Sequence, residues 1–87
     1  MSYFAVFLPM LSSKKSEEHR QAHLDFLAEQ EREGRVFAKG PFLDGSGGLV
    51  IYKGESVEEI QRIVIQDPYV KVGARGYEIH EWAMKTV

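Results

Sequence analysis

Four polar side chains in this sequence have types and positions suited to proton-transfer chemistry: Arg20, His23, Asp44 and Asp67. An imidazole accepts and returns a proton near neutral pH, and a carboxylate beside it selects one tautomer and stabilises the charge that develops. His23 is therefore expected to move the proton, with Asp44 as the catalytic partner that orients it. Arg20 lies three residues before His23 and so neighbours it on a helix surface. Its guanidinium suits a carboxylate or phenolate on a small ligand. Phe42 and Tyr69 are expected as apolar walls around a planar or cyclic molecule, with Asp67 at the same rim as a further substrate-binding group.

Each residue also has a purely structural reading. His23 sits beside an apolar stripe and can serve as a hydrogen-bonded packing residue. Asp44-Gly45 is a common turn pair, Asp67-Pro68 a helix stop, and Arg20 can pair with Glu17 or Glu18. Metal binding has little support. His19 and His23 are spaced i, i+4, but the H-E-x-x-H order and a third ligand are missing. No P-loop, dinucleotide fingerprint or serine-nucleophile motif is present, so the chemistry is expected to need no cofactor.

The elements that must position these residues follow from periodicity. Tyr3 to Leu8 is an apolar run ended by Pro9, as expected of a central strand. A helix is expected from about 16 to 32, with Ser12, Ser13 and Ser16 as competing caps and Gly34 as its stop. Residues 35–39 and 48–53 form two strands joined by the loop Gly40-Pro41-Phe42-Leu43-Asp44-Gly45-Ser46-Gly47. Ser56-Val57-Glu58-Glu59 has capping-box form and opens a second helix that ends near Gln66. Residues 69–76 read as loop and 77–84 as the last strand. The order βαββαβ is an α+β, ferredoxin-like arrangement: a four-stranded antiparallel sheet with two helices on one face. In that topology the start of the first helix, the loop after the second strand and the end of the second helix share one rim. Arg20, His23, Asp44 and Asp67 are thereby expected to converge.

Composition sets the outer limits. Eighty-seven residues make one domain, with no cysteine to staple it. A small core and a sheet face without helices both point to a homodimer or higher oligomer packed sheet to sheet. The net charge of −2, with both signs interspersed, argues against a nucleic-acid partner. The apolar N-terminus lacks a basic leader and is too short to span a bilayer, so no membrane partner and a cytoplasmic location are expected.

Taken together in order and spacing, several short pieces resemble the YCII-related (YciI-like) family. They are Arg20-x-x-His23-x-x-Phe26-Leu27, Gly34, Gly40-Pro41-x-x-Asp44, Gly47-Gly48, Ser56, Asp67-Pro68-Tyr69 and Trp82. Phe26 stands where a tyrosine is common, and His80 precedes Glu81-Trp82 where a proline is frequent. The resemblance implies a dimeric ferredoxin-like fold similar to muconolactone isomerases, with His23 and Asp44 as the catalytic pair. One branch resembles dehydrochlorinases of chlorinated hydroxyhydroquinones. The expected function is thus a cofactor-independent lyase or isomerase acting on a small cyclic or aromatic molecule. A non-catalytic small-molecule-binding module of the same fold is the alternative. A haem-handling or oxygenase relative is a third reading, supported only by His23.

Overall fold

A computed structural model describes residues 1–87. The chain runs β1 (Ser2–Pro9), α1 (Ser13–Glu18), α2 (Arg20–Arg32), β2 (Val36–Pro41), β3 (Gly47–Gly54), α3 (Val57–Val64), α4 (Pro68–Lys71) and β4 (Glu78–Trp82). The four strands form one antiparallel sheet in the order β2-β3-β1-β4. This is the ferredoxin-like α+β arrangement. β1 is central because its pleat can be apolar on both faces: Phe4, Val6 and Leu8 are buried under the helices, while Tyr3, Ala5 and Phe7 point the other way.

The core lies between the sheet and helices α2 and α3. Phe4, Val6, Leu8, Val50 and Tyr52 meet Leu27, Ile60 and Val64 there. On α2 the inward stripe is His23, Leu27 and Gln30, the i, i+4, i+7 spacing of one helical face. A polar ring therefore continues an apolar stripe, and it is this position that brings His23 to the edge of the core.

Four local features differ from expectation. Helical structure starts earlier, because Ser12 is the serine that caps: it is extended, and its Oγ accepts from Lys15 N at 3.1 Å. The expected single helix is divided at His19, whose φ of −108° and ψ of 13° depart from helical values. Residues 68–71 form a short helix in the expected loop, since Asp67 caps Tyr69 N at 2.9 Å and Pro68 occupies the first turn. Asp-Pro closes one helix and opens the next. The second strand also runs through Gly40-Pro41, whose peptide bond is trans, and Pro41 pairs with Gly48 on β3. α3 follows its capping signal: Ser56 Oγ accepts from Glu59 N, and Glu59 reaches back to Glu55 N.

Candidate active site

The α2 stripe presents His23 to the turn between α3 and α4, and that turn supplies Asp67. His23 Nδ1 lies 2.8 Å from Oδ1 and 3.0 Å from Oδ2 of Asp67. With Nδ1–H donating to the carboxylate, Nε2 is the bare nitrogen of the neutral ring. Nε2 has no protein partner, and no buried side-chain nitrogen in the chain lacks one, so it reaches open space. His23 lines a cavity of about 400 Å³ between α2 and the β2–β3 edge of the sheet. The geometry thus presents a proton acceptor to a ligand-sized space, backed by a carboxylate only 1% exposed.

Tyr69, the second residue of α4, stacks its ring on His23 at 3.9 Å and 12°. The same ring lies 4.5 Å from the Arg75 guanidinium carbon. Arg75 Nε donates to Ser16 Oγ at 3.1 Å, which ties the segment after α4 to α1. Ser16 is itself buried, and its hydroxyl also lies 3.4 Å from the Ala74 carbonyl oxygen. His23, Tyr69 and Arg75 form a layered stack, and all three line the cavity together with the exposed Arg20.

The geometry corrects the expected pairing of His23 with Asp44. Asp44 is fully exposed in the β2–β3 hairpin, where its Oδ1 accepts from Ser46 N at 2.9 Å. Hydrogen bonds from the Ser46 side chain and backbone hold its carboxyl below the usual range. Its carboxylate is engaged in closing the turn, and the partner of His23 is Asp67. Asp67 in turn is only 1% exposed and does not line the cavity, so its carboxylate meets the His23 ring and not the open space expected of a substrate-binding group. Phe42 is also displaced from its expected role as a cavity wall. It packs edge-on against Phe7, 5.8 Å between centroids, on the helix-free face of the sheet. Arg20, His23 and Tyr69 do line the cavity together. Sequence reading missed Arg75 and Ser16. Their partnership spans 59 positions, and Arg75 lies in a stretch without periodicity; its only local sign is a place between Gly73 and Gly76.

The family model of the YCII-related domain matches residues 2–83. The chain belongs to the YCII-related family. This YCII-domain protein is 35% identical over 83 residues to YjpA of Bacillus subtilis (strain 168), an uncharacterised protein; the match covers 95% of this chain and 98% of YjpA. It also resembles the 5-chloro-2-hydroxyhydroquinone dehydrochlorinase TftG of Burkholderia phenoliruptrix AC1100, solved in complex with 2,5-dihydroxybenzoquinone. The TM-score is 0.82 over 95% of each chain, at 21% identity. At that identity the likeness is one of fold.

Proposed function

We propose that this YCII-domain protein is a cofactor-independent acid–base enzyme, a lyase or isomerase acting on a small hydroxylated cyclic or aromatic molecule. The observation that carries the reading is the Asp67–His23 pair, buried on its carboxylate side and open at Nε2 to a cavity large enough for one ring. His23 would take a proton from a ligand hydroxyl or ring carbon, and the buried Asp67 would hold the tautomer and stabilise the imidazolium that forms. The apolar wall of Leu24, Leu27 and Val50 would exclude water from a flat ligand. The dehydrochlorinase of the same fold gives the first reaction to assay, loss of a proton and chloride from 5-chloro-2-hydroxyhydroquinone, which involves no net oxidation.

His23→Gln is expected to keep the fold and lower kcat by about 100-fold or more on any substrate that screening identifies. Full turnover in a folded His23→Gln protein refutes the acid–base reading. We also propose that the helix-free face of the sheet packs on a second copy, because Tyr3, Phe7, Phe37 and Leu49 form an apolar surface there together with Trp82. A chain without cysteine suits the reducing cytoplasm, where the same reading puts it.

A further inference from the structure

Arg75 has the geometry of a preset anion receptor. Its Nε is occupied by Ser16 Oγ and its guanidinium carbon sits 4.5 Å over Tyr69, so the group is fixed in plane and position. None of the five ion pairs in the chain uses Arg75, although the side chain is partly buried. A guanidinium held on one edge and stacked on an aromatic ring keeps its two terminal nitrogens for a planar oxyanion. Gly48 leaves them room. A methyl group there would lie 3.6 Å from Arg75 Nη1 and 3.1 Å from the Gly40 carbonyl oxygen on the paired strand. The cavity lining carries three cations, Arg20, Lys39 and Arg75, against the single carboxylate of Glu17. Lys39 is already paired with Glu31 and Arg20 is exposed, which leaves Arg75 as the cation that is both fixed and unpaired.

His23 and Arg75 are stacked on the same Tyr69 ring, at 3.9 Å and 4.5 Å, and cannot both occupy one face of it at those distances. They therefore flank the ring from opposite sides. A ligand lying along the edge of Tyr69 meets the proton acceptor at one end and the guanidinium at the other. We propose that Arg75 is the specificity-determining residue of the cavity, selecting monocyclic ligands that carry a carboxylate or phenolate oxygen at the end opposite the group presented to His23. This rests on the reading of the cavity as the ligand site and adds the charge that its ligand must bear.

The test compares 4-hydroxybenzoate with its neutral isostere 4-hydroxybenzamide, titrated at pH 7.5 into the full chain with binding followed by amide NMR shifts. The wild type is expected to bind the carboxylate at least ~10-fold tighter than the amide, as a charge-assisted bidentate pair requires. Arg75→Gln should bring the two ligands to parity, while Arg75→Lys keeps part of the preference. Arg20→Gln and His23→Gln should leave the ratio as it is. Parity in the wild type, binding of neither probe, or loss of the preference in Arg20→Gln but not in either Arg75 variant overturns the proposal. The ratio between two probes on one folded variant does not respond to general loosening of the site. It also separates the two claims: a carboxylate preference that depends on Arg75, together with undiminished turnover in His23→Gln, refutes the acid–base reading alone.

Discussion

Asp67 Oδ1 lies 2.8 Å from His23 Nδ1 and also accepts from the Tyr69 amide at 2.9 Å, so a single carboxylate both fixes the imidazole and caps α4. Asp67→Asn keeps the shape but no longer dictates which ring nitrogen carries the proton. On the proposed mechanism it should lower kcat by about 100-fold, and imidazole ¹⁵N spectra should show loss of the pure Nδ1–H form of His23. Asp44→Asn should leave the His23 spectrum unchanged, because Asp44 serves only its own turn. The reverse pattern would restore Asp44 as the partner. Tyr52 registers the same buried carboxylate. Burial first, and the Asp67 charge second, push its phenol well above the ordinary tyrosine value. In the unfolded chain the phenol ionises near pH ~10, whereas in the fold it keeps its proton, so above that pH the folded state binds more protons. This contribution is complete below about pH 10 and is lost as pH rises towards the folded value, by up to about 1.4 kcal/mol per pH unit. Urea titrations between pH 9 and 11 should show a shallower decline in Tyr52→Phe than in the wild type. Equal slopes would mean that the phenol is not held neutral.

At the scale of elements, the β1–β3 ladder fixes the rim from which the cavity is built. Gly47 opens β3 opposite Pro9, with a φ of 144°, and a Cβ there would run into the Leu8 carbonyl oxygen. Gly45, with a φ of 78°, has nothing within 4 Å of such an atom. Gly47→Ala is therefore expected to cost about 2 kcal/mol or more, and Gly45→Ala about 1 kcal/mol, as read from denaturant midpoints. Similar costs at both positions would show that backbone conformation alone, without the contact to β1, sets the penalty. The divided first helix has a local effect of its own. Ser16 on α1 reaches Arg75, and His23 on α2 reaches Asp67, so the two halves grip the segment from 67 to 75 at two separate points.

The whole molecule has two unlike faces. One carries α2 and α3 over a core that includes fully buried Phe4, Val6 and Ile60; the other carries Tyr3 edge-on to Phe37 and Phe7 edge-on to Phe42, with Trp82 45% exposed. A chain of this size buries only about two thirds of its unfolded surface, so covering the second face by the proposed self-association would add to stability. Light scattering on the purified chain should give twice the monomer mass. The double variant Phe37→Glu, Trp82→Glu should give the monomer mass, with helical circular dichroism retained. A monomeric wild type would remove the dimer from the proposal and leave the Asp67–His23 geometry unaffected.

Much of this architecture is written locally in the chain. The apolar run of β1, the Ser56-x-x-Glu59 cap, the stop at Gly34 and the i, i+4 placement of His23 and Leu27 all act through neighbours a few positions apart, and short-range sterics and periodicity make them legible in sequence. The topology built from them was enough to bring Arg20, His23 and Tyr69 to one cavity. Which carboxylate faces His23 was decided only in three dimensions. Topology carries Asp44 and Asp67 to the same rim, but the hairpin turns the first outward to cap Ser46, while the α3–α4 turn tucks the second behind the imidazole. The turn chemistry of Asp-Gly and Asp-Pro states that a carboxylate caps something, not which way the remaining oxygen points. Arg75 is a similar case. Its partners Ser16 and Tyr69 lie 59 and 6 positions away along the chain, and no periodic pattern links a side chain in an irregular segment to a buried hydroxyl across the fold. Tertiary packing alone makes that connection, because only the fold brings Ser16, Tyr69 and Arg75 together at one cavity.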